Sequence, residues 1–128
     1  MVLDTSAVIA VLQSEPAADR LIAAIEGAQV LTMSAASVLE ASIVLFARYG
    51  DFGDREFDLF LHRLSVRVVS VTAEHVEMAR SGYRRFGKGR HPAGLNFGDC
   101  FSYALALSLG EPLLSRGDAF SKTDVLVA

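Results

Sequence analysis

The sequence lacks the features that would place the protein outside the cell or in a membrane. Cys100 is the only cysteine, so no internal disulfide framework can form, which fits a reducing compartment. The longest apolar stretch, residues 35–47, contains Glu40 and is too short to span a bilayer. No basic segment precedes the first apolar residues, as a secretory signal would require. We therefore expect a cytoplasmic protein with no membrane partner.

The sequence also lacks an excess of basic residues. Its 12 Lys and Arg are outnumbered by 15 Asp and Glu, for a net charge of -3. The net charge of the chain therefore does not indicate a nucleic-acid partner, and any basic surface would have to be local. The length of 128 residues and the apolar share of 52% suit one domain with one core. We expect residues 1–128 to form a single domain.

Short apolar strands alternate with longer helices along the chain. This order is typical of a mostly parallel sheet with helices on both faces, an α/β sandwich of four to five strands. Ser34, Asp54, Thr72 and Asn96 are predicted to cap helices. The predicted strands cover residues 2–3, 30–33, 66–71, 112–115 and 125–127, and the helices fill most of the sequence between them.

Four acidic residues occupy positions where acids are uncommon. Asp4 and Asp118 each follow a short apolar strand, Asp99 comes three residues after the predicted cap Asn96, and Glu40 lies in an apolar helix. Ligands of parallel sheets bind at the carboxyl ends of the strands, and a buried carboxylate is costly unless it is paired or bound to a cation. The pattern predicts one acidic site at that edge.

Each acid also has a simpler interpretation. Asp4 could cap the first helix, Asp99 could compensate the dipole of its own helix, and Glu40 could pair with a distant arginine. Asp118 fits ordinary turn chemistry, and Asp124 is a rival for its role. Taken together, the oxygen-only ligands favour Mg²⁺ or Mn²⁺ over zinc, as in a nuclease. The alternatives are a phosphotransfer enzyme and a non-catalytic domain with a structural cation.

Candidate substrate-binding residues are found near two of the acids. Thr5 and Ser6 follow Asp4 and could bind a phosphate or a metal-bound water, although they could equally cap the helix. A basic segment comes before Asp99 and could grip the backbone of a nucleic acid, or it could be a solvated helix end. Its members are Arg84, Arg85, Lys88 and Arg90.

Four segments, in the same order over essentially the whole chain, resemble PIN-domain ribonucleases, and in particular the VapC toxins of type II toxin–antitoxin systems. They are the opening Val-Leu-Asp-Thr-Ser-Ala-Val, the stretch Ser-Ala-Ala-Ser-Val-Leu-Glu that ends at Glu40, residues 96–104 around Asp99, and residues 113–124.

The resemblance implies a PIN-like α/β/α fold and an endoribonuclease that depends on Mg²⁺ or Mn²⁺. It implies metal ligands at Asp4 and Asp99, with Glu40 completing the acidic centre. Many relatives carry a fourth Asp directly before the phenylalanine of the last segment, where this chain has Ala119, so Asp118 is the candidate for that role. The resemblance also implies a homodimer, an RNA substrate and inhibition by a VapB-like antitoxin whose C-terminal tail lies across the active site.

Overall fold

The computed structural model describes residues 1–128 and contains one sheet of four parallel strands in the order β3-β2-β1-β4. The strands are β1 (Val2–Leu3), β2 (Thr32–Ser34), β3 (Arg67–Val69) and β4 (Leu113–Leu114). The helices are α1 (Thr5–Leu12), α2 (Ala18–Gly27), α3 (Ala35–Tyr49), α4 (Asp51–Arg63), α5 (Ala73–Phe86) and α6 (Phe97–Leu109), and a 3₁₀ turn covers Ala119–Lys122. None of the helices has the length and apolar character needed to cross a membrane.

The sheet separates two apolar clusters because side chains alternate between the faces of a strand. Leu3 and Leu114 belong to a cluster with residues of α1, α2, α3 and α4. Val2 and Leu113 belong to the opposite cluster, with residues of α5 and α6. All four side chains are at most 1% exposed. The result is the predicted three-layer α/β/α sandwich.

The parallel register brings several chain segments to one edge of the sheet. Val2 pairs with Thr32 and with Leu113, so β1, β2 and β4 end side by side. Asp4 follows β1, α3 begins directly after β2, and the Ser115–Arg116 segment follows β4. This arrangement places the candidate acids from distant parts of the sequence at the carboxyl edge.

Several predicted boundaries differ from the structure. The predicted strand 66–71 shortens to Arg67–Val69 and is mostly exposed because it lies at the sheet edge. The predicted fifth strand is only a single parallel bridge between Leu113 and Val127. The Asp54 cap is wrong: α4 begins at Asp51 after Gly50, which has a φ of 61°, and Asp54 instead accepts a hydrogen bond from Ser42 at 2.8 Å.

The other three predicted caps are confirmed. The Ser34 side chain accepts from the N–H of Ala36, and the Thr72 side chain accepts from the N–H of His75. Asn96 forms a reciprocal capping box with Asp99. Such caps satisfy backbone donors that a helix leaves unpaired at its start, so α3, α5 and α6 begin at positions that the local sequence determines.

Candidate functional site

Asp4 is 3% exposed and accepts three hydrogen bonds at the end of β1. Its Oδ2 accepts from the Ser6 N–H at 3.0 Å and from the Ser6 hydroxyl at 2.6 Å. Its Oδ1 accepts from the Ser102 hydroxyl at 2.6 Å. The capping interpretation of Asp4 is therefore correct but incomplete, because capping of α1 does not explain a contact with α6. The contacts from two elements hold this carboxylate in one orientation.

Ser102 was not predicted as a site residue, although the structure places it behind Asp4. It is fully buried in α6, and its hydroxyl also lies 3.3 Å from the hydroxyl of Ser37 in α3. The Thr5 hydroxyl donates to the carbonyl of Ser37 at 3.2 Å, so Thr5 joins α1 to α3. The only sequence signal for this network was the pair of serines inside apolar helices.

Asp99 combines a structural and an electrostatic role in the first turn of α6. Its Oδ2 accepts from the Asn96 N–H at 3.0 Å, and the Asn96 Oδ1 accepts from the Asp99 N–H at 2.9 Å. Burial raises the pKa of the Asp99 carboxyl to about 6; the hydrogen bond from Asn96 opposes this shift, and the charges of Asp4 and Glu40 add to it. Burial and, to a smaller extent, this repulsion disfavour the charged carboxylate of Asp99, and a cation at this place would offset both.

Glu40 reaches the same place from α3, about two turns into the helix. It is half-buried and takes part in none of the five ion pairs of the protein, so the arginine partner considered for it is absent. Its carboxylate lies against Gly98 of α6, where a β-carbon would come within 2.8 Å of the Glu40 Cδ. Gly98 therefore provides the space in which the Glu40 side chain approaches Asp99.

The three acids line one cleft of about 260 Å³, which we call the acidic cleft. Residues from the end of β1 and from α1, α3, α6 and the segment after β4 form its walls. The complete lining is Asp4, Thr5, Ser6, Ile9, Glu15, Glu40, Val44, Arg48, Asn96, Asp99 and Arg116. The acidic cleft therefore combines Asp4, Glu40, Asp99, Thr5 and Ser6 as the sequence predicted, and adds two arginines that were not predicted.

The acidic cleft suits a hard cation that keeps part of its water. No three Asp, Glu, His or Cys side chains converge tightly enough to enclose a metal ion by themselves. Mg²⁺ binds through one or two carboxylates and retains several waters, so a site of this kind would need no more than two of the three acids as direct ligands. Cys100 offers no competing soft ligand, because its thiol donates to the carbonyl of Asn96 at 3.2 Å, while burial and the Asp99 charge raise the thiol pKa.

The structure does not bring Asp118 into the acidic cleft. Its side chain is 83% exposed and lies 3.8 Å from the Lys122 ammonium, and it lines a neighbouring groove formed with Arg20, Arg116 and Ser121. Asp118 sits just before the 3₁₀ turn, where nothing directs its side chain toward the other acids. A catalytic role for Asp118 stays a prediction.

Its rival Asp124 has structural partners instead. The Tyr103 hydroxyl donates to Asp124 at 2.8 Å and the Arg85 guanidinium donates at 3.0 Å. Burial acts to raise the pKa of Asp124, but the bonds from Tyr103 and Arg85 outweigh it and leave the pKa below its usual value. The pKa of the Tyr103 hydroxyl rises to about 12, through burial and then through Asp124.

The predicted basic segment lies outside the acidic cleft. Arg84 and Lys88 line a mostly apolar groove between α5 and α6, of about 800 Å³, which meets the acidic cleft at Asn96. Arg85 is engaged by Asp124, and Arg90 is exposed in the loop before α6. RNA binding by these four residues stays a prediction, since the structure places them near the site but not in it.

The fold and the acidic cleft define a class of protein: a parallel α/β domain with clustered carboxylates at the carboxyl edge of its sheet. The profile of the family described as "PIN domain" matches residues 1–126. The chain is 57% identical over 125 residues to "Ribonuclease VapC" of Mycolicibacterium smegmatis, with 98% of this chain and 97% of that protein covered. The chain belongs to the PIN-domain family, in its VapC ribonuclease branch.

Solved structures confirm the fold. One is the Mycobacterium tuberculosis toxin VapC20, described as cleaving the sarcin–ricin loop, with a TM-score of 0.79 and 22% identity over 99% of this chain and 97% of that one. Another is a toxin–antitoxin complex from Klebsiella pneumoniae, with a TM-score of 0.75 and 14% identity over 99% of this chain and 95% of that one. At these identities the likeness concerns the fold alone.

Proposed function

We propose that this chain is the toxin of a type II toxin–antitoxin pair and an endoribonuclease that depends on Mg²⁺ or Mn²⁺. Residues 1–128 act in this proposal as a single PIN domain. Asp4 and Asp99 hold the metal, Glu40 completes the acidic centre, and the substrate is RNA. The observation that carries the proposal is the convergence of these three acids in one cleft, in a chain that is 57% identical to a protein named as a ribonuclease.

The residues of the acidic cleft explain how the hydrolysis would be supported. A bound divalent cation supplies Lewis acidity and lowers the pKa of a water molecule. Asp4 presents a carboxylate that Ser6 and Ser102 hold in place, and the Asn96 N–H holds Asp99. Because both ligands are oriented before the substrate arrives, little reorganisation is needed during the reaction. Glu40, which has no ion-pair partner, is free to orient water or to accept a proton.

We infer that a VapB-like antitoxin and a second copy of the chain are partners of this protein, and that it acts in the cytoplasm. The solved complex from Klebsiella pneumoniae supports an antitoxin, because its description names a toxin–antitoxin pair. On α3, Leu39, Ile43 and Phe46 are each more than half exposed and share one face of the helix. An apolar surface of this kind beside the acidic Glu40 suits a protein partner.

The decisive test is RNA cleavage by variants that keep the shape of each acid. Asp4→Asn, Glu40→Gln and Asp99→Asn should each lower the cleavage rate in Mg²⁺ by about 100-fold or more, as expected when a group stabilising the transition state is lost. Asp58→Asn is the matched control, because Asp58 is an exposed acid of α4 outside the acidic cleft. Gel-resolved cleavage of total RNA, with circular dichroism to confirm folding, measures the effect.

The same assay separates the alternative functions. A structural cation without catalysis predicts that Mn²⁺ raises the melting temperature while no RNA is cut by the wild type. A phosphotransfer enzyme predicts stable labelling of Asp4 by a small phosphodonor, and Ser6 stands where such enzymes carry a second Asp. If the Asp99→Asn variant cleaves RNA at the wild-type rate, the site assignment is rejected.

A further inference from the structure

Two arginines share the wall of the acidic cleft with the three acids. Arg48 comes from the last turn of α3 and Arg116 from the segment after β4, and both side chains are exposed. They lie 68 positions apart in the sequence (116 minus 48), so no local pattern could have paired them. No other Lys or Arg lines this cleft.

Each guanidinium is tied to the segment that follows α1. The Arg48 Nη1 donates to the Gln13 Oε1 at 2.8 Å, and the Arg116 Nη1 donates to the Glu15 Oε1 at 2.8 Å. A guanidinium has five N–H donors, and each of these contacts uses one N–H of Nη1. Both groups are therefore held near the acidic cleft with donors left for a ligand.

The backbone of Arg116 is coupled through Ser6 to Asp4 at the end of β1. Its N–H donates to the Ser6 Oγ at 3.1 Å, and the Ser6 hydroxyl donates to the Asp4 Oδ2 at 2.6 Å. From the other side, the Arg20 guanidinium donates to the carbonyl oxygens of Ser115 at 3.3 Å and of Arg116 at 3.0 Å. The position of Arg116 relative to Asp4 is thus fixed by hydrogen bonds on both sides.

The charge of the acidic cleft explains why an RNA enzyme would need these arginines. Four carboxylates line the cleft, those of Asp4, Glu15, Glu40 and Asp99, against two guanidinium groups. RNA carries one negative charge per phosphate and would be repelled by the carboxylates alone. Guanidinium groups bind phosphate through paired N–H donors, and two of them beside the acids can hold the backbone on the substrate side of the metal site.

We propose that Arg48 and Arg116 form a phosphate-binding rim, which positions the RNA backbone beside Asp4 and Asp99, and that Glu15 occupies the Arg116 guanidinium until a phosphate replaces it. The inference rests on the proposed ribonuclease function, whose substrate site it specifies. Arg48 and Arg116 are binding residues in this assignment, and the carboxylates remain the catalytic ones.

Binding of a fluorescein-labelled single-stranded RNA to the full chain tests whether the rim binds phosphate, under conditions in which the RNA is not cleaved. The measurements use the Asp99→Asn background in Mg²⁺, because Asp99 forms no ion pair with either arginine, and fluorescence anisotropy is recorded over a range of salt concentrations. Adding Arg48→Ala or Arg116→Ala should raise Kd about 10-fold. Each should also reduce the slope of log K against log salt by about 0.7, the value for one lost phosphate contact on a single strand.

A second variant distinguishes binding from a structural role of Arg116. Glu15→Gln breaks the Glu15–Arg116 ion pair but leaves the guanidinium, so the rim predicts RNA binding that is equal or tighter. If Arg116 only anchors the end of α1, Glu15→Gln and Arg116→Ala should instead lower the melting temperature together and leave the salt slope unchanged. Arg55→Ala, on the exposed face of α4, is the matched control. It should change Kd and the salt slope less than Arg48→Ala or Arg116→Ala does.

Failure of the phosphate-binding rim can be distinguished from failure of the proposed ribonuclease function. The rim is overturned if neither Arg48→Ala nor Arg116→Ala changes Kd or the salt slope. If the wild type still cleaves RNA and Asp99→Asn does not, the ribonuclease function stands even so. Absence of cleavage by the wild type with any RNA would instead reject the ribonuclease function, and the rim with it. Arg116→Lys should give an intermediate Kd, because lysine keeps the charge but loses the paired donors.

Discussion

Individual residues at the acidic cleft satisfy structural and chemical demands at once. Asp4 caps α1 and is also the best-held carboxylate of the site, and Asp99 completes the capping box of α6 while its carboxyl is destabilised in the charged form. The simple interpretations, Asp4 as a helix cap and Asp99 as a first-turn acid of its helix, are therefore compatible with a functional role. A functional site is indicated because acids from the first turns or N-caps of separate helices lie in one cleft, which capping alone does not require.

The raised pKa of Asp99 predicts a dependence of stability on pH. The folded carboxyl binds its proton more tightly than the unfolded one, so this group stabilises the fold at low pH. That contribution is lost as pH rises from about 3.8 to about 6. In metal-free buffer above pH 6, Asp99→Asn should melt about 3 °C higher than wild type, equivalent to about 1 kcal/mol after allowance for solvent screening.

Thermal unfolding followed from pH 4 to pH 8 with EDTA measures this difference, which should vanish near pH 4. Added Mn²⁺ should reverse the order, because it raises the melting temperature of wild type by mass action and that of Asp99→Asn much less. Equal melting temperatures of the two proteins at every pH would show that Asp99 carries no unfavourable charge in the fold.

At the scale of elements, the site depends on how closely α3 and α6 approach each other. Ser37 and Ser102 join the two helices through a buried contact between hydroxyls, and Gly98 lets the Glu40 carboxylate lie against the first turn of α6. Neither helix carries the site alone. The glycine is needed here for space, since any β-carbon would overlap the Glu40 side chain.

Gly98→Ala should therefore separate activity from stability. Alanine favours a helix over glycine by about 1 kcal/mol, so the melting temperature should stay equal or rise while Glu40 is displaced. Displacement of a catalytic group by about 1 Å can cost up to about 100-fold in rate, and we expect a loss of about 10-fold to 100-fold in RNA cleavage. Gly27→Ala, where a β-carbon meets nothing within 4 Å, should leave the rate unchanged.

At the scale of the whole molecule, the C-terminal segment, residues 124–128, is attached both to β4 and to the helical layer of α5 and α6. Leu113 makes backbone hydrogen bonds with Leu126 and with Ala128 at 2.9 and 3.0 Å, and Asp124 binds Tyr103 of α6 and Arg85 of α5. Tyr103 is 1% exposed, so its hydroxyl depends on Asp124 for a partner. This attachment stabilises the face of the molecule opposite α1–α4.

Asp124→Ala should lower the free energy of unfolding by about 1–3 kcal/mol, because it leaves the Tyr103 hydroxyl without its acceptor. Urea denaturation measures the loss, and Asp118→Ala, at an exposed ion pair, should cost less than about 1 kcal/mol. The folded Asp124→Ala protein should still cleave RNA. A fully folded but inactive Asp124→Ala variant would identify Asp124 as the fourth acid of the site.

The sequence by itself determined the layered fold, the identity of the three acids in the cleft and the first residues of most helices. These features follow from the order of strands and helices, from apolar periodicity and from capping residues, which are all local properties of the sequence. Asp4 in particular was identifiable from its place after a two-residue strand. Only the tertiary structure decided that Asp118 lies outside the cleft, that the fifth strand reduces to one bridge, and that Ser102, Arg48 and Arg116 belong to the site. These facts depend on contacts between residues up to 110 positions apart, such as that of Arg116 with Ser6, and no local pattern encodes such contacts.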